Sequence, residues 1–333
     1  MFGINIALSD SISFTRSALE TEKENEMETK GEQKKILVPV DGSDKSLATI
    51  QYLARTEYVK TMQVVLFHVF HNIPESYWDL AKNPSITASA APIAAWQHQN
   101  RANMEAFMEK CTDLLVKSGF HGDRVRPVIH NREEGIARDI LKEARNNYYA
   151  AVIRRRGFSS IPGVLVGSVT DKLMAALNFI PLVIVGKEVL AEKILISVDS
   201  SASAMKAVEF VADFAGKTGC AVSLLHIIRP QAAGADQGPL EEFLLNSRDT
   251  IGKVFEKAVS CLEQGGFERD RIDHSIVTQV SSRAGAIAEH ADKGLYSMIV
   301  LGRRGLSEPG EFFIGRVPRK VVYAAAGKTV CIV

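Results

Sequence analysis

The chain is poor in cysteine. Its 333 residues hold four, Cys111, Cys220, Cys261 and Cys331, scattered with no C-x-x-C pair. That spacing fits neither a zinc site nor a disulfide framework, and four reduced thiols point to the cytoplasm. Charge of one sign is also missing, since 40 Lys and Arg face 39 Asp and Glu for a formal net charge of +1. No global field therefore argues for nucleic acid or an anionic membrane as a partner. No apolar run reaches the roughly 18 residues of a membrane span. The short run Ile4–Leu8 is interrupted by Asp10, with no long apolar core after it, so no signal peptide is expected. A P-loop of the form G-x4-G-K-[ST] is absent, which disfavours a vigorous NTPase. No Ser-His-Asp or Cys-His arrangement stands out and no carboxylate pair is placed for acid–base work, so no catalytic residue is assigned. His68 and His226 have no Cys, Asp or Glu at metal-ligand spacing, and no metal is expected there.

What is present reads as a soluble α/β protein, 46% apolar and 24% charged, long enough for two domains. Residues 1–33 are expected to be a disordered extension, because Glu20–Gln33 is mostly Glu, Lys, Thr and Gly without apolar periodicity. Ile36–Val40 reads as a buried strand, and Asp41-Gly42-Ser43 as a turn and helix-cap signal. Leu47, Ile50, Leu53 and Ala54 then repeat at helical spacing. Val64–Val69 is a second strand, apolar enough to be covered on both faces. After a long connection from Phe70 to about Ala95, the pattern predicts a helix over Gln97–Ser118, a strand over Arg124–His130 and a helix over Gly135–Asn147. Strands at Ala150–Ile153 and Leu182–Val185 flank a glycine segment and a last helix. This βαβ grammar implies a parallel sheet.

The same order begins again at Lys193. One interval separates Asp41 from Asp199 and His68 from His226. A second, shorter interval separates Gly157 from Gly305 and Gly167 from Gly315. Two motif pairs at each of two constant offsets mark a duplicated domain, shortened in its middle. The expected domains are 34–187 and 192–333, joined at Lys187–Glu192 by a boundary too short for a flexible linker. With strand order 3-2-1-4-5, the first and fourth strands of each half are neighbours where the order reverses, and ligands bind beyond their carboxyl ends. Asp41 then faces Gly157, and Asp199 faces Gly305. An acidic residue there can bond ribose hydroxyls, while glycines and the next helix N-terminus meet phosphates. Asp41 and Asp199 could instead simply cap the first helix, and the glycine loops could be structural turns inherited from a nucleotide-binding ancestor.

Strand-V-D-x-S, L-x-H-[VI] at the end of strand two, and G-x-x-G-x9-G-[ST] before the last helix occur in order, twice. In these motifs the chain resembles the universal stress protein family. The resemblance implies two tandem five-stranded parallel α/β sandwiches, Rossmann-like and of the adenine nucleotide alpha hydrolase-like type, with frequent dimerisation through the last strand. It further implies ATP, with or without Mg²⁺, bound without a fast reaction and coupled to a stress response through an unidentified protein partner. By that pattern Asp41 and Asp199 bond ribose, Val69 and Ile227 touch adenine, and Gly157, Gly167, Ser168, Gly302, Gly305 and Gly315 hold phosphates.

Each half departs from the pattern at a different point. Arg154 stands in the first half where the second has Gly302, and Arg316 stands in the second half where the first has Ser168. Arg154, Arg155 and Arg156 could offer charge to phosphate or form a solvated turn; Arg316 and Arg319 could contact phosphate directly. Trp78 and Trp96, with Tyr77, read as loop packing over the crevice. The two last strands, Leu182–Val185 and Val330–Val333, are expected to meet edge to edge as an internal pseudo-dimer. A degenerate protein-interaction module without nucleotide, and a slow ATPase, are the competing readings.

Overall fold

The structure, a computed structural model, describes residues 33–71, 87–155, 167–187, 193–228, 238–278, 280–305, 314–325 and 327–333. The expected N-terminal extension lies outside the described residues but for its last residue, Gln33. The first half runs β1 (Lys35–Pro39), α1 (Asp44–Ala54), β2 (Gln63–Phe70), α2 (Thr87–Lys117), β3 (Val125–Asn131), α3 (Ile136–Glu143), β4 (Ala150–Arg154), α4 (Ser168–Ala176) and β5 (Leu182–Val185). The second half repeats it as β6 (Lys193–Ser197), α5 (Ala202–Ala215), β7 (Ala221–Ile227), α6 (Gly238–Gln264), β8 (Ile272–Val277), α7 (Arg283–Lys293), β9 (Met298–Leu301), α8 (Arg316–Ala324) and β10 (Thr329–Ile332).

All ten strands form one sheet in the order β3-β2-β1-β4-β5-β10-β9-β6-β7-β8. Each half therefore has the expected 3-2-1-4-5 order with parallel neighbours. The halves meet where β10 pairs β5 antiparallel, Val330 opposite Ile184 and Cys331 opposite Val183. This pairing satisfies the ladder groups that each last strand would otherwise expose at a sheet edge. At one outer edge β3 carries Pro127, a residue suited to a strand that pairs on one side only.

The inner strands are apolar on both faces because helices cover both. In β1, Ile36 and Val38 enter one core and Leu37 the other; in β2, Val64 and Leu66 oppose Val65, Phe67 and Val69. That alternation follows from the period of two in a pleated strand. Each core runs through both halves: one holds residues of α1, α2, α5 and α6, the other residues of α3, α4, α7 and α8. Tyr58 meets Phe214 edge-on with ring centroids 4.1 Å apart, and Tyr149 stacks on Phe210 at 5.5 Å, so aromatic packing also joins the halves.

One expectation needs correction. Helix α2 begins at Thr87, well before Gln97. Ala88, Ala90, Ala91, Ala94 and Ala95 are the strongest helix formers available and extend the helix without an apolar stripe to advertise it. Trp96 therefore stands on this helix, 55% exposed, and is not packed in a loop; Tyr77 and Trp78 lie outside the described residues. Among the described residues, no helix is long and apolar enough to cross a membrane.

Candidate nucleotide cradles

The carboxyl ends of β1 and β4, and of β6 and β9, lie side by side in the sheet. The residues that leave each strand decide the chemistry there. After β6 come Val198 and Asp199, then Ser201, whose side chain accepts the Ala204 amide at 3.1 Å and caps α5. Asp199 is not itself the cap. Its Oδ1 accepts the Ser201 amide at 3.0 Å, which shapes the turn that presents the serine. In the first half Ser43 caps α1 through the Ser46 amide at 3.2 Å. There the Asp41 Oδ1 is more heavily engaged: it accepts the Ser43 amide at 3.1 Å, the Ser43 hydroxyl at 2.6 Å and the Ser46 hydroxyl. Ala204 replaces Ser46 in the second copy, so Asp199 keeps more of its acceptor capacity.

The loop after β9 lies directly on the first turn of α5. A Cβ added to Gly302 would stand 2.5 Å from the Ser203 carbonyl carbon and 2.7 Å from the Ala204 nitrogen. Backbone cannot yield to that contact, so only glycine fits. Two hydrogen bonds fasten the approach: the Ser201 hydroxyl donates to the Arg304 carbonyl at 3.3 Å, and the Arg304 amide donates to the Ser203 hydroxyl at 3.2 Å. A Cβ on Gly305 would meet Asp199 Oδ2 at 3.0 Å. The structure thus brings Asp199, Gly302 and Gly305 together. Gly315 joins them, its amide donating to the Arg303 carbonyl at 2.8 Å across the base of the loop.

The last helix of each half opens on glycine. Gly167 and Gly315 are the N-cap residues of α4 and α8, and among the described residues neither makes a side-chain cap, whereas serines cap α1, α5 and α7. First-turn amides that the N-cap residue leaves without a side-chain acceptor, at the positive end of a helix dipole, suit an anion. Pro318 removes one of those amides from α8 at a first-turn position where proline is well tolerated. Arg316 is exposed at the start of α8 and Ser168 is exposed at the start of α4.

Val69, next to last in β2, and Ile227, the last residue of β7, are each 7% exposed, with their side chains in the core under α3 and α7. Beside them the His68 and His226 Nδ1–H groups donate to the Val40 and Val198 carbonyls, both at 2.8 Å. Burial lowers both imidazole pKa values. The histidines therefore brace the first strand of each half as neutral rings. Among the described residues no group of three or more His, Cys, Asp or Glu is placed to hold a metal.

The first-half cradle differs. Arg154 extends β4 by a residue where Gly302 ends β9, and burial lowers its pKa. Its carbonyl accepts the Thr170 hydroxyl at 2.9 Å, and the Gly167 amide donates to the Arg155 carbonyl at 2.9 Å, so this loop is also closed at its base. Gly157 and Arg156 lie outside the described residues. Arg155 corrects the reading of the triplet as a solvated turn. It is 7% exposed and donates from Nη2 to the carbonyls of Ala325 and Lys328, at 2.9 and 3.0 Å, in the other half. Arg319 also faces the other half, 3.9 Å from Asp171, whose carboxylate accepts the Tyr323 hydroxyl at 2.8 Å. Sequence reasoning offered the aspartates as the caps where the serines carry them, and missed that Arg155 reaches the other half. An arginine recurring at the interval of the glycines, Arg155 and Arg303, was the available signal.

Both halves match the model of the universal stress protein family, over residues 32–186 and 191–332. The chain belongs to the universal stress protein family. A universal stress protein of Mycolicibacterium smegmatis is 26% identical to this universal stress protein over 147 residues. The match spans 42% of this chain and 47% of that relative, about half its length. A crystal structure of a universal stress protein from Archaeoglobus fulgidus DSM 4304 has TM-score 0.58 at 16% identity, covering 90% of this chain and 98% of that one. At that identity the likeness is one of fold. A universal stress protein solved in complex with cAMP has TM-score 0.33 at 19% identity over 42% of this chain and 95% of that one.

Proposed function

We propose that this tandem universal stress protein binds an adenine nucleotide, ATP with Mg²⁺ as the leading form, in the second-half cradle. Occupancy then alters a surface read by a protein partner in a cytoplasmic stress response. The observation that carries this reading is the close approach of Gly302 to the first turn of α5, with Asp199 beside Gly305. A single added Cβ would collide there with the backbone of α5, and the glycine N-cap of α8 follows in the chain. In this reading Asp199 bonds ribose and Ile227 lies at the base. The main chain of Gly302, Gly305 and Gly315 meets phosphate, and Arg316 adds charge from the rim. Domains 34–187 and 192–333 complete the proposed organisation.

The first half is the weaker site. Asp41 is taken up by local serines and Arg154 occupies the place of Gly302, although Val69, Gly167 and Ser168 keep their positions and Gly157 belongs to the same motif. Those losses suit a half that serves interaction.

Titration calorimetry with ATP and Mg²⁺ tests the assignment. Asp199→Asn is expected to weaken binding about tenfold, the size of one hydrogen bond to a charged acceptor. Asp41→Asn leaves binding nearly unchanged. No heat at millimolar nucleotide sinks the binding claim, and a loss confined to Asp41→Asn moves the site to the first half.

A further inference from the structure

The two cradles are not independent bodies. Arg155 closes the base of the first-half loop through its carbonyl, while its guanidinium grips the carbonyls of Ala325 and Lys328 just past the end of α8. Arg303 repeats the arrangement: its carbonyl accepts the Gly315 amide, and its Nη1 donates to the Met174 carbonyl in the last turn of α4 at 2.9 Å. Each last helix therefore has its N-terminus at its own cradle and its C-terminus held by the arginine of the other. Followed around, the contacts close a ring from Arg155 through α8 to Gly315, through Arg303 to Met174, and back along α4 to Gly167.

A cation at a helix C-terminus is favourable, and a charged donor makes the stronger kind of hydrogen bond. The arrangement is nonetheless costly. Arg155 is 7% exposed, its Nε and Nη1 have no hydrogen-bond partner among the described residues, and burial brings its pKa down to about 10. Arg303, equally buried, is brought down to about 10 by the same cause. An apolar side chain of similar volume would fill the space without that desolvation penalty. What the guanidinium adds is a directed tie between one loop base and the far helix.

We propose that Arg155 is a positioning residue that transmits occupancy of the second-half cradle to the base of the first-half glycine loop. This rests on reading the second-half cradle as the nucleotide site. A phosphate at the N-terminus of α8 orders that helix, the ordered C-terminus fixes Arg155, and Arg155 fixes the Gly167 end of the first-half loop. Two events that order the same elements are coupled through the entropy they share. The first half then serves as the readout of a ligand it need not bind.

Amide hydrogen exchange on the full chain, with and without saturating ATP and Mg²⁺, tests this. In the unaltered chain, nucleotide is expected to protect 314–325 and also 151–155 and 167–176. In Arg155→Met, protection at 314–319 persists while the first-half segments lose theirs by about tenfold in exchange rate. Unchanged first-half protection in that variant overturns the proposal. If nucleotide protects nothing in the unaltered chain, the binding reading has failed, and the tie is judged without ligand. Arg155→Met should then speed exchange at 321–325 by about tenfold, the loss of bonds to a charged donor, and no change overturns the tie. A purely structural arginine would instead lower the melting temperature and raise exchange everywhere. Should Arg155→Met not fold, Arg155→Lys, which keeps the charge without the planar fork, is read on the same segments.

Discussion

Gly302→Ala is the sharpest single perturbation. The added Cβ would stand 2.5 Å from the Ser203 carbonyl carbon, 2.6 Å from its oxygen and 2.7 Å from the Ala204 nitrogen. Ordinary contact between such atoms needs about 3.5–4.0 Å, so loop and helix must part by about 1 Å. All three atoms are backbone in or just before the first turns of α5, and α5 is anchored by Ala207, Val208, Val211 and Ala215, which are among the most buried residues of the core. Overpacking of this kind costs about 1–3 kcal/mol. The parting also strains the bonds of Arg304 to Ser201 and Ser203, each worth about 1 kcal/mol. The expected total is about 3 kcal/mol, read as a lower midpoint in chemical denaturation, with nucleotide affinity reduced in the same variant. The control runs the other way in the first half: Arg154→Gly should cost only the flexibility of an added glycine, about 0.5–1 kcal/mol. Equal and small effects at both positions, with affinity retained in Gly302→Ala, would refute the close-approach argument.

Acid should weaken the fold through His68 and His226. Their folded pKa values lie below the ordinary 6.5, chiefly through burial. The unfolded chain then binds protons that the folded chain refuses, so stability is full above about pH 6.5 and falls as the pH drops below it. Denaturation midpoints at pH 7.5 and 5.5 check this, and His68→Gln with His226→Gln should flatten the difference; identical midpoints in the unaltered chain contradict it. The thiols should be sluggish in the native state. Burial pushes Cys111 up to about 12 and raises Cys220 and Cys331, and Cys261 alone among the four is partly exposed. A thiol reagent near neutral pH is expected to modify Cys261 first and the rest only on unfolding; rapid reaction of all four in the folded chain would contradict the burial.

Much of the fold was legible because the signals were local and duplicated. Two constant offsets exposed the repeat, and apolar runs such as Val64–Val69 stated that both sheet faces are covered. The strand order was a premise consistent with the family resemblance, and the β5–β10 meeting rested on that resemblance and on the need to pair edges. The start of α2 was not legible, because alanine extends a helix without leaving a periodic stripe. The convergence of Asp199, Gly302, Gly305 and Gly315 was legible in outline. The division of labour between aspartate and serine was not, since D-x-S fits either as cap until the distances are known. Arg155 shows the deeper limit. Nothing within its neighbourhood in the chain says that the carbonyls it serves, those of Ala325 and Lys328, lie in the opposite half. That depends on the antiparallel pairing of two last strands and on where it places the end of α8.

The central claim is that the second-half cradle holds one adenine nucleotide. Native mass spectrometry of the intact chain with ATP and Mg²⁺ measures this most directly. The account predicts a single bound nucleotide on the unaltered chain and on Asp41→Asn, with most of it lost in Asp199→Asn. A chain that stays free of nucleotide, or that takes up ATP and CTP equally and to no fixed number, would contradict it.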